Sequence, residues 1–134
     1  MYLLRDRSDE DGNQSFGFYK TDYTPRKSAV YMHNFTNILA DKGTSIKKGS
    51  LSYSLANPPE TVHDLLLLNS NGKFQLVVWG EKVTGSDEVT VNLGKKTALL
   101  KIYNPVSGTT PVATLRNVNS VKLTLTDHPM ILEL

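Results

Sequence analysis

The 134 residues include no cysteine. Disulfides, thiolate nucleophiles and thiolate metal ligands are therefore excluded. That absence does not set a compartment, because exported bacterial proteins often lack cysteine too. No stretch approaches the ~20 apolar residues that a membrane-spanning helix needs. The opening MYLL gives only a short apolar segment before charge begins, too short for the apolar region of a signal peptide. Charge of one sign is missing as well. Fifteen Lys and Arg stand against thirteen Asp and Glu, scattered along the chain, for a formal net charge of +2. There is no basic stripe interleaved with aromatics, so neither nucleic acid nor a membrane surface is indicated as a partner. Aromatics make up 8% of the residues, and only one of them is tryptophan.

What is present divides by period. Residues 25–41 read as a helix. Thr24 is a good N-cap and Pro25 suits the first helical position. Tyr31, Phe35, Ile38 and Leu39 form one apolar stripe, flanked by Val30 and Met32, and Gly43 can take the left-handed C-cap conformation. Before the helix, residues 1–4 and 16–20 read as short extended pieces, joined by an acidic loop over residues 6–14. After Gly43 the period becomes that of strands. SLSYSLA, VHDLLLLN, FQLVVWG, EVTVNL, TALLKIY, VATLR, VKLTLT and MILEL follow at roughly the 8–12 residue spacing of a sandwich or barrel. Asn71-Gly72 is a strong hairpin signal. GKK and NVNS read as two further turns. The expected fold is mainly β: an antiparallel β-sandwich of about eight strands preceded by one α-helix. Its expected units are 1–43 (strand end, acidic loop, helix) and 44–134 (the sandwich).

At this point three segments carry a resemblance: FGFYKTDYTPRKSAVYMHNFTNILAD, VHDLLLLNSNGKFQLVVWGE and YNPVSGTTPVATLRNVNSVKLTLTDHPMILEL. Together they make nearly the whole chain similar to the C-terminal end of a group of bacterial (β/α)8-barrel glycoside hydrolases with a trailing β-sandwich. The resemblance implies that the helix is the last barrel helix and that residues 1–4 are the end of the eighth strand. The family's catalytic glutamates lie on earlier barrel strands, which have no counterpart here. The chain is then expected to be non-catalytic and cofactor-free, an accessory sandwich that packs against a barrel. The intact family is expected to be secreted or periplasmic. The alternative is a carbohydrate-binding module that recognises a polysaccharide.

Several residue groups bear on chemistry. Asp6, Asp9, Glu10 and Asp11 would line a sugar subsite if the loop stood on the active face of a barrel; otherwise they form a solvated loop. A calcium loop fails on spacing, since Gln14 stands at the turn-glycine position and Lys20 at the bidentate-glutamate position. Asp64, Glu81, Asp87 and Glu88 supply carboxylates for a glycosidase pair by number alone. His33, His63 and His128 have no metal-ligand spacing, and His63 and Asp64 point to opposite faces of one strand. No residue is therefore assigned to catalysis or to a metal. Trp79, Tyr103 and Tyr53 are the candidates for stacking on a sugar. Trp79 shares its face with Gln75 and Val77, a mixed face that leaves packing and binding both open. Finally, on this resemblance the helix stripe is made to pack on a barrel; without it, the stripe must bury itself on the sandwich, on another copy of the chain, or remain exposed. The expectation is an oligomer, or a barrel partner, through residues 1–43.

Overall fold

The computed structural model describes residues 4–7, 16–45 and 48–134. One helix, α1 (Lys27–Ile38), precedes six strands: β1 (Ser54–Ala56), β2 (Val62–Leu68), β3 (Phe74–Gly80), β4 (Asp87–Tyr103), β5 (Ala113–Leu125) and β6 (Met130–Glu133). All pairings between these strands are antiparallel. The order is β1-β4-β6-β3-β2, with β5 on the other edge of β4. The mainly-β, antiparallel, helix-first architecture is thus the one the sequence indicates.

The strand number differs for a physical reason. EVTVNL and TALLKIY are one strand, β4, and VATLR and VKLTLT are one strand, β5. GKK and NVNS are not turns between strands but a bulge within the β4–β5 ribbon. The register jumps there from Asn92↔Ser120 to Thr97↔Val118. Gly94 (φ +65°) and Asn117 (φ +56°) take the left-handed conformation that the irregularity requires. Because the two strands gain unequal lengths, the inward parity of β4 switches from odd positions (Val89, Val91, Leu93) to even ones (Leu100, Ile102).

The bulge lets one sheet act as two layers. The first half of β4 pairs with β1 and the second half of β5. The second half of β4 pairs with β6 and the first half of β5, and the sheet runs on through β3 to β2. The layers close on one core in which Leu76, Val78, Leu100 and Leu132 meet Val89, Val91, Leu93, Leu123 and Leu125. Phe74 to Gly80 forms the expected hairpin with β2, through a loop in which Gly72 (φ +85°) donates its N–H to the Asn69 carbonyl at 2.8 Å.

The helix sits on the outside of the second layer. The outward side chains of β3, β6 and β4 form rows across the strands: Gln75, Glu133, Lys101, then Val77, Ile131, Tyr103. Phe35, Ile38 and Leu39 pack on the apolar row of Val77, Ile131 and Tyr103. Three polar ties hold the C-terminal half of the helix and the residues just after it. Asn34 Nδ2 donates to the Pro105 carbonyl (2.8 Å), Gln75 Nε2 donates to the Ile38 carbonyl (2.8 Å), and Asp41 accepts from the Ser70 N–H (2.7 Å) and hydroxyl (2.6 Å). The chain's own sandwich thus receives Phe35, Ile38 and Leu39 of the stripe, which weakens the drive for self-association through those three residues.

Both expected caps of α1 are replaced. The N-cap is Arg26, with no side-chain cap bond. Thr24 instead closes a local turn, its N–H (3.0 Å) and hydroxyl (2.6 Å) both donating to Asp22 Oδ1. Pro25 bridges to Tyr19. The helix ends at Leu39. Gly43 is needed for closeness rather than for a cap: a Cβ there would stand 1.7 Å from Ser70 Oγ.

Candidate functional site

Apolar relief follows the edge of α1. Two hollows, of about 390 and 300 Å³, share Phe35, His128 and Pro129. The larger runs beside the end of β3 and is walled by Leu39, Leu65, Val77 and Trp79. The smaller lies along the helix against Pro105 and Val106. The sequence builds this groove by simple means. Trp79 follows Gln75 and Val77 on the helix-covered face and packs with Phe35, Ile38 and Leu39 against the same cluster. It is half-buried, with His63 opposite it in the β2–β3 register and the two rings 5.6 Å apart. His63 Nε2 lies 3.0 Å from Glu81 Oε1, and His128 Nδ1 lies 2.9 Å from Asp127 Oδ1. The hydrogen bond with His128 is the main cause that holds the Asp127 carboxyl below its usual range.

The three stacking candidates separate here. Trp79 alone combines partial exposure with a hollow. Tyr103 is 8% exposed and lies beneath the helix with Val77 and Ile131, so it offers no face to a sugar. Burial, ahead of the nearby Glu133 charge, pushes its phenol up. Tyr53 packs against the interlayer core and gives its hydroxyl to Asp64 Oδ2. Burial first, then that bond, pushes the phenol up to about 12. The register could not be read from the sequence, which is why the three tyrosine and tryptophan positions looked equivalent.

The carboxylates are dispersed. Asp64 is taken by Tyr53 and Glu81 stands against His63. Asp87 is buried, with Lys82 and Thr61 as partners, and Glu88 is exposed against Lys122 at 2.7 Å. Each of the four is thus engaged by a partner of its own. Among the described residues no group of three or more His, Asp or Glu could hold a metal ion.

In the acidic segment, Asp9, Glu10 and Asp11 lie outside the described residues. Asp6 is described and is structural. Its carboxylate accepts from Arg26 and from the Gly17 N–H (2.8 Å), while its own N–H donates to the Tyr19 carbonyl (2.9 Å). The Arg26 bond, then the Gly17 bond, holds the Asp6 carboxyl below its usual range. Asp6 is 6% exposed, and each of its carboxylate oxygens accepts a hydrogen bond from within the fold. Sequence reading missed this pairing because Asp6 and Arg26 are brought together only by the bridges Arg5↔Tyr19 and Tyr19↔Pro25.

One charged group on the helix-bearing face carries a pH prediction. Glu133, with 16% of its side chain exposed, accepts from Lys101 (3.1 Å) and Lys73 (3.3 Å). Burial raises its pKa, but the lysine bonds and charges together outweigh burial and leave it below the ordinary 4.5. A carboxyl depressed in the folded state stabilises fully above its unfolded pKa and loses that contribution as pH falls through the folded one. The urea midpoint should therefore fall on acidification below about pH 5. Glu133→Gln should lower the midpoint at neutral pH and flatten the acid slope. Unfolding curves taken from neutral to acid pH check both. An unchanged slope would mean that the pair contributes nothing.

No protein-family model matches the chain, and no curated protein is similar to it.

Proposed function

We propose that the chain is the non-catalytic accessory β-sandwich of a glycoside-hydrolase-like protein, and that it carries and anchors the last helix of a (β/α)8 barrel lying outside these residues. The observation that carries this reading is the helix itself. It is fixed to the sandwich by Phe35, Ile38 and Leu39 and by polar ties near its middle and its C-terminal end. Meanwhile Leu4, Phe16, Tyr23, Val30 and Met32 stay exposed in the same N-terminal part. On helical geometry Val30 projects away from the sandwich-facing stripe. Among the described residues, five of the nine exposed large apolar side chains fall in this N-terminal part, the others (Leu65, Val83, Leu99 and Val112) in the sandwich; a sandwich that only bound ligands would have no use for such exposure beside its helix. A body that joins a barrel would. The barrel, or failing it a second copy of the chain, is the partner expected through residues 1–43.

A second reading rests on Trp79. Its hollow has the volume for one sugar ring, with the indole as a stacking platform and Asp127 and His128 in its lining. Electrophoresis through gels containing neutral β-glucan, xylan or mannan separates the two. The accessory reading expects no retardation by any of them. Retardation by one, abolished in Trp79→Ala, would overturn it and make the chain a binding module.

A further inference from the structure

Between Val89 and Thr126 the sequence has lysine at 95, 96, 101 and 122 and arginine at 116, but no aspartate or glutamate. Two of these cations are neutralised from elsewhere, Lys101 by Glu133 and Lys122 by Glu88. Lys95, Lys96 and Arg116 form no ion pair with any described residue. The first two sit at the β4–β5 bulge, where residues 93–96 of β4 face Asn119 alone in the β5 register. A hollow of about 490 Å³ opens there, lined by Gly94, Lys95, Lys96, Asn117 and Asn119. The side chains of Asn117 and Asn119 make no hydrogen bond within the described residues. The hollow shares no residue with the Trp79 groove.

We infer that this bulge is a binding site for a small hydroxylated oxyanion, the chemistry common to sugar acids and sugar phosphates. Two ammonium groups act as adjustable point charges toward a single oxyanion. Two amides each offer both donors and an acceptor, the complement of a hydroxyl, which also donates and accepts. No aromatic ring lines the hollow, so it has no platform for a nucleobase. It has no long apolar side chain to receive an acyl chain either. The left-handed backbone at Gly94 and Asn117 turns the ribbon so that residues from both strands converge. In the accessory reading the bulge only folds the sheet. Here the same bulge also gathers unpaired charge, and the inference stands whether or not that reading holds.

The lysines are exposed, so the site should bind weakly, with a Kd on the order of millimolar, and more weakly still as salt rises. The test is an amide ¹H–¹⁵N titration of the intact chain with galacturonate, glucose 6-phosphate, glucose and inorganic phosphate. Saturating shifts should centre on residues 94–96 and 117–119 with at least one of the first two ligands, and the tighter of them names the source of the oxyanion. The double variant Lys95→Gln, Lys96→Gln, altered only at exposed positions, should bind at least about tenfold more weakly. Shifts centred elsewhere, no saturation with either acid, or a double variant that binds as well would overturn the inference. So would glucose binding as tightly as the acids, which would remove the charge from recognition. Phosphate binding as tightly as both would remove the hydroxyls.

Discussion

Replacing Gly94 by valine should destabilise the fold by about 2–4 kcal/mol, the sum of left-handed strain and a backbone collision. The backbone at Gly94 has φ +65°, and a Cβ there would stand 2.6 Å from the Ser52 carbonyl oxygen and 3.3 Å from its carbon. The blocking group is main chain, so no rotamer change relieves it. Ser52 lies two residues before β1, and pushing it aside weakens the pairing of Leu55 with Val91. Gly85→Ala provides the control. Gly85 also has positive φ (+79°) but nothing within 4 Å of its added Cβ. It should lose only the conformational part, about 1–2 kcal/mol. Urea denaturation of the two variants separates the terms. Equal losses would mean that the approach of residue 52 to the bulge does not matter.

Leu76→Ala should cost about 2–5 kcal/mol, because it empties a fully enclosed site that its neighbours cannot collapse into. Leu76 has no exposed surface and stands in register with Leu66 on one side and Leu132 on the other. It faces the interlayer core, while the indole of Trp79 faces the helix layer. Unfolding should therefore be followed by two probes, tryptophan fluorescence for the outer face and far-UV circular dichroism for the sheet. Both midpoints should fall together, as one cooperative unit requires. A fluorescence transition that stays in place while the dichroism transition moves would show that helix and sandwich unfold separately.

Much of this was legible in local pattern. Alternation at Val89, Val91 and Leu93 and again at Val121, Leu123 and Leu125 gave the inward faces, and all six are buried. Of the apolar stripe Tyr31, Phe35, Ile38 and Leu39, the last three pack on the sheet, while Tyr31 lines the neighbouring hollow. What local pattern could not separate was a turn from a bulge. Both need a residue that tolerates positive φ, so Gly94 and Asn117 look the same in either setting. The caps failed for a related reason. Thr24 and Pro25 suit a helix start, but Asp22 and Tyr19 compete for them and win. At the site, the pairs Asp6–Arg26, Tyr53–Asp64 and Lys101–Glu133 span long loops or whole strands, and only the assembled sheet reveals that these side chains are already engaged.

β6 spans only Met130–Glu133, yet it lies between β3 and β4 and joins the two sections of the sheet. During synthesis the β2–β3 hairpin and the β4–β5 ribbon can each form from neighbouring segments as they emerge. Neither can be joined to the other until residues 130–133 have left the ribosome. Until then each presents an unpaired edge on which β6 belongs, and any extended segment nearby can take that place. The nascent chain is therefore most open to mispairing just before its last strand arrives.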